Sequence, residues 1–161
     1  MTLSTTYFQH LYDLLHRDHP FFGSGLEESL ARIPEQDLHQ PIEHRTIAQL
    51  LEHMLAWRRD LGKRLLGEPR EKIELNTPQD WPQPDPGKTK ADYLAELTDT
   101  TAKIRRGLEV FDMEQLTDKL HPDYDYTSVD LLEGGAHHDI YHLGQINLIA
   151  AILQHRRAAT S

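Results

Sequence analysis

The sequence predicts an all-α chain folded as a four-helix bundle, with a long crossover between its second and third long helices. Three observations carry this. Four stretches place apolar residues at helical spacing, strand-like alternation is almost absent, and five of the nine prolines fall within residues 67–88. The first helical stretch, from about Ser4 to Arg17, sets Tyr7, Phe8, Leu11, Leu14 and Leu15 on one face. His19-Pro20 and the Gly23-Ser24-Gly25 turn interrupt it, and a shorter helical piece follows from Leu26 to Ile33, stopped by Pro34. The second long helix opens at Thr46, where Gln49 completes a capping box. Its stripe of Ile47, Leu50, Leu51, Met54, Leu55, Leu61 and Leu65 runs to Gly67 and Pro69.

Residues 67–88 keep no period, and Pro69, Pro78, Pro82, Pro84 and Pro86 exclude a regular helix by removing donors and fixing φ. The plain reading is a crossover along the bundle; the other is a loop that covers a functional site. The third long helix starts near Thr89 with Asp92 at the capping position, and Leu94, Leu97, Ile104, Leu108 and Phe111 mark its core face. An irregular segment, Asp112 to Tyr126, precedes the fourth. That helix begins at Thr127 or Ser128, with Asp130 in its first turn. Val129, Leu132, Ala136, Ile140, Leu143 and Ala150 form its stripe toward Leu153.

A length of 161 residues suits one domain spanning 1–161. The zero cysteine count excludes a disulfide scaffold, a thiolate metal site and a cysteine nucleophile. A net charge of −9 argues against nucleic acid as a partner. The longest apolar run, Leu148 to Leu153, is too short to span a bilayer. The opening residues, Met1 to Thr6, carry no basic or apolar leader pattern, so a cytoplasmic location is expected.

Eleven histidines are the compositional oddity. His10, His16, His39, His44 and His155 lie in polar surroundings or near helix ends, where solvent exposure accounts for them. His19 and His121 each precede a proline and receive no role. His138 and His142 stand four residues apart, the spacing by which one helix face presents two imidazoles to one ion. His137, five residues from His142, points elsewhere. The face that holds the pair also holds Leu131, Gly135, Gln145 and Ile149, so it borders the core. His53, between Leu50 and Trp57 on the second helix, supplies a third imidazole. Three neutral imidazoles suit Zn²⁺, and also Ni²⁺, Fe²⁺ or Cu²⁺, and leave a coordination position open for water or substrate.

The string from Leu131 to Ile146 closely resembles the last-helix signature of the DinB-like superfamily, His-x-x-x-His-x-Gly-Gln, here His138, His142, Gly144 and Gln145. The segment Thr46 to Trp57 resembles that family's second-helix segment, whose histidine matches His53, and the ending Leu66-Gly-Glu-Pro69 is similar too. The resemblance implies an up-down-down-up bundle, commonly a homodimer. It also implies a divalent metal, zinc or nickel first and iron or manganese next, held by His53, His138 and His142. Relatives include bacillithiol transferases and mycothiol-dependent maleylpyruvate isomerase, so a low-molecular-weight thiol is an implied cofactor and a small molecule the implied substrate. Such a thiol would bring the sulfur this chain lacks.

Two functions use the same triad: a metal-dependent thiol S-transferase or hydrolase, and a non-catalytic metal- or ligand-binding protein linked to stress. A metal-free helical dimer with structural histidines is the third. Glu52, Asp139, Tyr141 and Gln145 are the acid–base candidates nearest in sequence. Glu52 and Asp139 leave their helices about 100° from the neighbouring histidines, which suits supporting or surface roles. Gln145 is expected to be structural, Trp57 to pack in the core, and Trp81 could line a pocket mouth.

Overall fold

The computed structural model describes residues 3–16, 23–119 and 125–160; Arg17, His19, Pro20 and His121 lie outside them. The described residues form five helices and no strand: α1 (Leu3–His16), α2 (Leu26–Arg32), α3 (Ile47–Leu65), α4 (Lys90–Val110) and α5 (Ser128–Ala158). The all-helical class follows the sequence. Local chemistry sets the three long starts. Thr46, Thr89 and Thr127 each accept from a backbone N–H of the first turn, and Gln49, Asp92 and Asp130 each reach back to the capping residue's own N–H. Residues 66–89 join α3 to α4 without a helix.

Helices α3 and α4 share the largest seam. Arg59 pairs with Glu96, Gly62 lies against Lys103 and Leu65 against Gly107, so residue numbers rise together along both. Gly107 permits this approach, because a Cβ there would come within 2.5 Å of the Leu65 Cβ. Along α5 the order reverses, with Gly135 meeting Leu61 and Asp139 meeting Arg58.

The core has two parts. One gathers Leu26, Leu51, Met54, Leu97 and Ile146; the other gathers Phe8, Tyr12, Leu61, Ile104 and Leu132. Between them on α3, α4 and α5 lies a buried polar layer, in which the Arg58 guanidinium donates to Asp139, Thr100 and Thr101. A buried guanidinium needs such partners to offset its lost hydration.

Three expectations need correction. The core face of α1 carries Phe8, Tyr12 and Leu15, while Tyr7 is exposed. On α5, Ile140 is half exposed, and Asp139, Ile146 and Ile149 turn inward, because the buried face follows two packing partners rather than one stripe. His16 is buried, its Nε2 3.1 Å from a Glu27 carboxylate oxygen, and His39 is half-buried against the Lys88 carbonyl. His10, His44 and His155 are exposed as expected. No helix among the described residues is long and apolar enough to cross a membrane.

Candidate metal centre

His53 on α3 and His138 and His142 on α5 come together, with one nitrogen of each lying within 4.8 Å of the others. His53 Nε2 and His138 Nε2 are 2.9 Å apart. Their outward nitrogens explain the orientation. His53 Nδ1 lies 2.6 Å from the Asp80 carbonyl oxygen and 3.1 Å from Asp80 Oδ1, both acceptors, so Nδ1 carries the proton and Nε2 the lone pair. His142 Nδ1 donates to Gln145 Oε1 at 2.6 Å, which frees its Nε2 in the same way. Fixing a ligating histidine through its other nitrogen is how proteins orient imidazole toward a metal. Two lone pairs cannot face each other at hydrogen-bond distance, so a proton on His138 or a shared cation must lie between them.

Electrostatics favours the deprotonated state. Burial first, then the neighbouring His142 and His53, pull the His138 pKa down to about 3. Burial likewise lowers that of His142, against the hydrogen bond it donates to Gln145. Neutral imidazole is the ligand form. A tetrahedral zinc ion with bonds of about 2.0–2.1 Å spaces its nitrogens about 3.3 Å apart, close to the observed approach of His53 and His138. The donor set therefore fits a divalent ion, and no fourth His, Asp or Glu joins the cluster among the described residues.

The crossover supplies what the helices do not. Asp80 is buried, and besides His53 its carboxylate accepts from Trp57 Nε1 at 2.8 Å and from the Asn76 backbone N–H at 2.8 Å. Asn76 takes a left-handed φ of 61°, which asparagine tolerates well. Trp81 stacks flat on His53, with ring centroids 3.9 Å apart, and the Arg45 guanidinium lies over Trp81. The segment 67–88 is thus both the connection and one wall of the site. Asp80 escaped the sequence argument, although an acid beside a tryptophan in a proline-rich stretch was its one signal.

The acid–base candidates are mostly committed elsewhere. Glu52 is ion-paired with Lys88, Asp139 with Arg58, and Gln145 holds His142. Exposed Tyr141 meets the His142 ring edge-on. Trp57 is only half-buried and faces His138, so it lines the site rather than packing in the core. Beside His138 opens a cleft of about 530 Å³ between α3, α5 and the crossover, walled by Trp57, Leu61, Ile73, Leu75 and Leu131.

The model of the DinB superfamily matches residues 24–146. The chain belongs to the DinB superfamily. The matched region of this DinB-superfamily chain begins after α1, ends within α5, and contains all three clustered histidines. No curated protein and no solved structure matches it significantly.

Proposed function

We propose that the chain is a divalent-metal-dependent enzyme, a thiol S-transferase or hydrolase, with His53, His138 and His142 as its ligands. One observation carries this reading: the three imidazoles converge with two of their outward nitrogens already engaged, next to a cleft large enough for a small molecule. When bound, the ion supplies Lewis acidity and lowers the pKa of a thiol or water at the open position. Zinc or nickel suits an all-imidazole set best, with iron or manganese less favoured. Asp80 and Gln145 hold the ligands in register, Trp81 shields His53 from solvent, and the substrate enters from the side of His138. Membership in the DinB superfamily supports the metal and a thiol cofactor. We read the four long helices as up-down-down-up within a single domain, a reading the seams of α3 with α4 and α5 support. Exposed Ile140, Tyr141 and Leu148 on α5 support a homodimer. The cytoplasm, which keeps low-molecular-weight thiols reduced, is the compartment this chemistry requires.

Untagged protein analysed for zinc, nickel, iron, manganese and copper should hold about one ion per chain. His142→Ala should lose it. A wild type without stoichiometric metal, or a variant that keeps it, overturns the reading. Loaded protein is then assayed with bacillithiol, mycothiol, glutathione and simple esters.

A further inference from the structure

We propose that the cleft beside His138 binds a small organic anion with an apolar body, and that Gly134 is the residue that keeps this space open. The inference deepens the proposed function by naming the substrate class of the same site. The cleft's volume of about 530 Å³ falls within the range of about 300–1,000 Å³ typical of small-molecule sites.

The tandem glycines on α5 separate two causes. A Cβ at Gly135 would come within 2.5 Å of Tyr12 Oη and 3.0 Å of Leu61 Cδ2, so packing demands that glycine. A Cβ at Gly134 would meet nothing within 4 Å, and its φ lies outside the left-handed region. Neither packing nor backbone conformation asks for glycine there, and glycine inside a helix destabilises it relative to alanine. What distinguishes Gly134 is that it lines the cleft while leaving the space at its Cβ position empty.

Charge selects the sign of the occupant. Arg58 is neutralised by Asp139, Asp60 is held by Arg64 and Arg70, and the Asp130 carboxylate is engaged by Thr127. Lys72, also on the cleft, makes no hydrogen bond or ion pair with any described residue. The hydrogen bonds from Thr127 keep Asp130 ionised, so around the cleft the cations of Arg58, Arg64, Arg70 and Lys72 stand against the carboxylates of Asp60, Asp130 and Asp139. The walls are otherwise apolar, and this balance favours an anionic group on a hydrocarbon or aromatic body.

The probe is 8-anilinonaphthalene-1-sulfonate, with N-phenyl-1-naphthylamine as its uncharged analogue, titrated by fluorescence into full-length protein with and without zinc. Wild type should show one saturable site per chain with an intact thermal transition. Gly134→Leu should stay folded, keep its metal, and weaken the sulfonate by at least about tenfold, as overpacking of a filled site implies. Lys72→Ala should weaken the sulfonate and leave the uncharged amine unchanged. Equal binding by folded Gly134→Leu overturns the proposal. If that variant does not fold, Gly134→Ala serves, with at least about twofold weaker binding expected and unchanged binding overturning the proposal. Sulfonate binding in a wild type that holds no metal would sink the metal reading and leave the cleft standing. Stoichiometric metal without a sulfonate site would sink the cleft alone.

Discussion

Replacing Asp80 with alanine leaves all three histidines in place and removes only what holds one of them. The carboxylate accepts from Trp57 Nε1 and the Asn76 N–H at 2.8 Å each, and lies 3.1 Å from His53 Nδ1. The backbone carbonyl, 2.6 Å from the same nitrogen, survives the substitution in principle. Its position does not, because the carboxylate pins the loop to α3 through Trp57 and closes the turn at Asn76. Loss of a partner that orients a metal-bound histidine costs about 10–100-fold in affinity, which is about 1.4–2.7 kcal/mol. Hydrogen bonds to a charged acceptor contribute about 1.5–3 kcal/mol each, so the loss of one effective contact at the site suffices. Zinc affinity measured by chelator competition should fall within that window, while circular dichroism keeps its helical signal and the apo-protein's urea midpoint falls with the lost Trp57 and Asn76 contacts. Asp80→Asn should fall between, since it keeps one acceptor and loses the charge. Wild-type affinity in Asp80→Ala, alongside complete loss in His53→Ala, would refute the idea that the crossover orients His53.

The two tandem glycines should respond with opposite signs to alanine in urea denaturation. Gly134→Ala should stabilise by up to about 1 kcal/mol from helix propensity, whereas Gly135→Ala, with its Cβ 2.5 Å from Tyr12 Oη, should destabilise, overpacking costing about 1–3 kcal/mol. Asp139→Ala leaves Arg58 buried without its counter-charge and should cost about 3–5 kcal/mol, much of it recovered in the Arg58→Met/Asp139→Ala double variant. Metal-free protein should lose stability as pH falls from about 6.5 toward the His138 value of about 3. Across that window the unfolded chain binds protons that the folded site refuses, so the unfolded state gains as pH drops. Saturating zinc should offset the loss, and a denaturation midpoint flat across the window in its absence would contradict a buried, neutral His138 and His142.

The histidine cluster was legible because each member obeys a local rule. His138 and His142 share a helix face by spacing, and His53 lies on a helix whose capping box at Thr46 announces its start. The class of fold was legible for the same reason, since three threonine caps and a 3.6-residue period are properties of short segments. Failures came where burial depends on partners far along the chain. Tyr12 belongs to the core because its hydroxyl reaches the Leu132 carbonyl, 120 residues away. Asp139 read as a supporting or surface acid until Arg58 met it across the seam of α3 and α5, and Asp80 sits in a stretch with no period at all. His16 looked exposed at a helix end until Glu27, after the following turn, came beside it.

The charge distribution around the triad ties these misplaced residues to function. The chain carries −9 overall, yet its acids near the site are compensated: Asp139 by Arg58 and Glu52 by Lys88. Among the described residues the Asp80 carboxylate is the acid that contacts the triad: it helps to hold the His53 Nδ1–H, and its charge also favours the protonated forms of His138 and His142. Arg45 over Trp81 and Lys72 on the cleft add positive charge on two sides. Three neutral imidazoles cannot cancel a dication, so a loaded site would be locally cationic inside an acidic protein. Such a site repels cations, admits thiolates and carboxylates, and draws them into an apolar cleft where the attraction is little screened. The same pairing that removes Asp139 and Glu52 from acid–base work would therefore leave an incoming ligand as the anion that such a loaded site lacks.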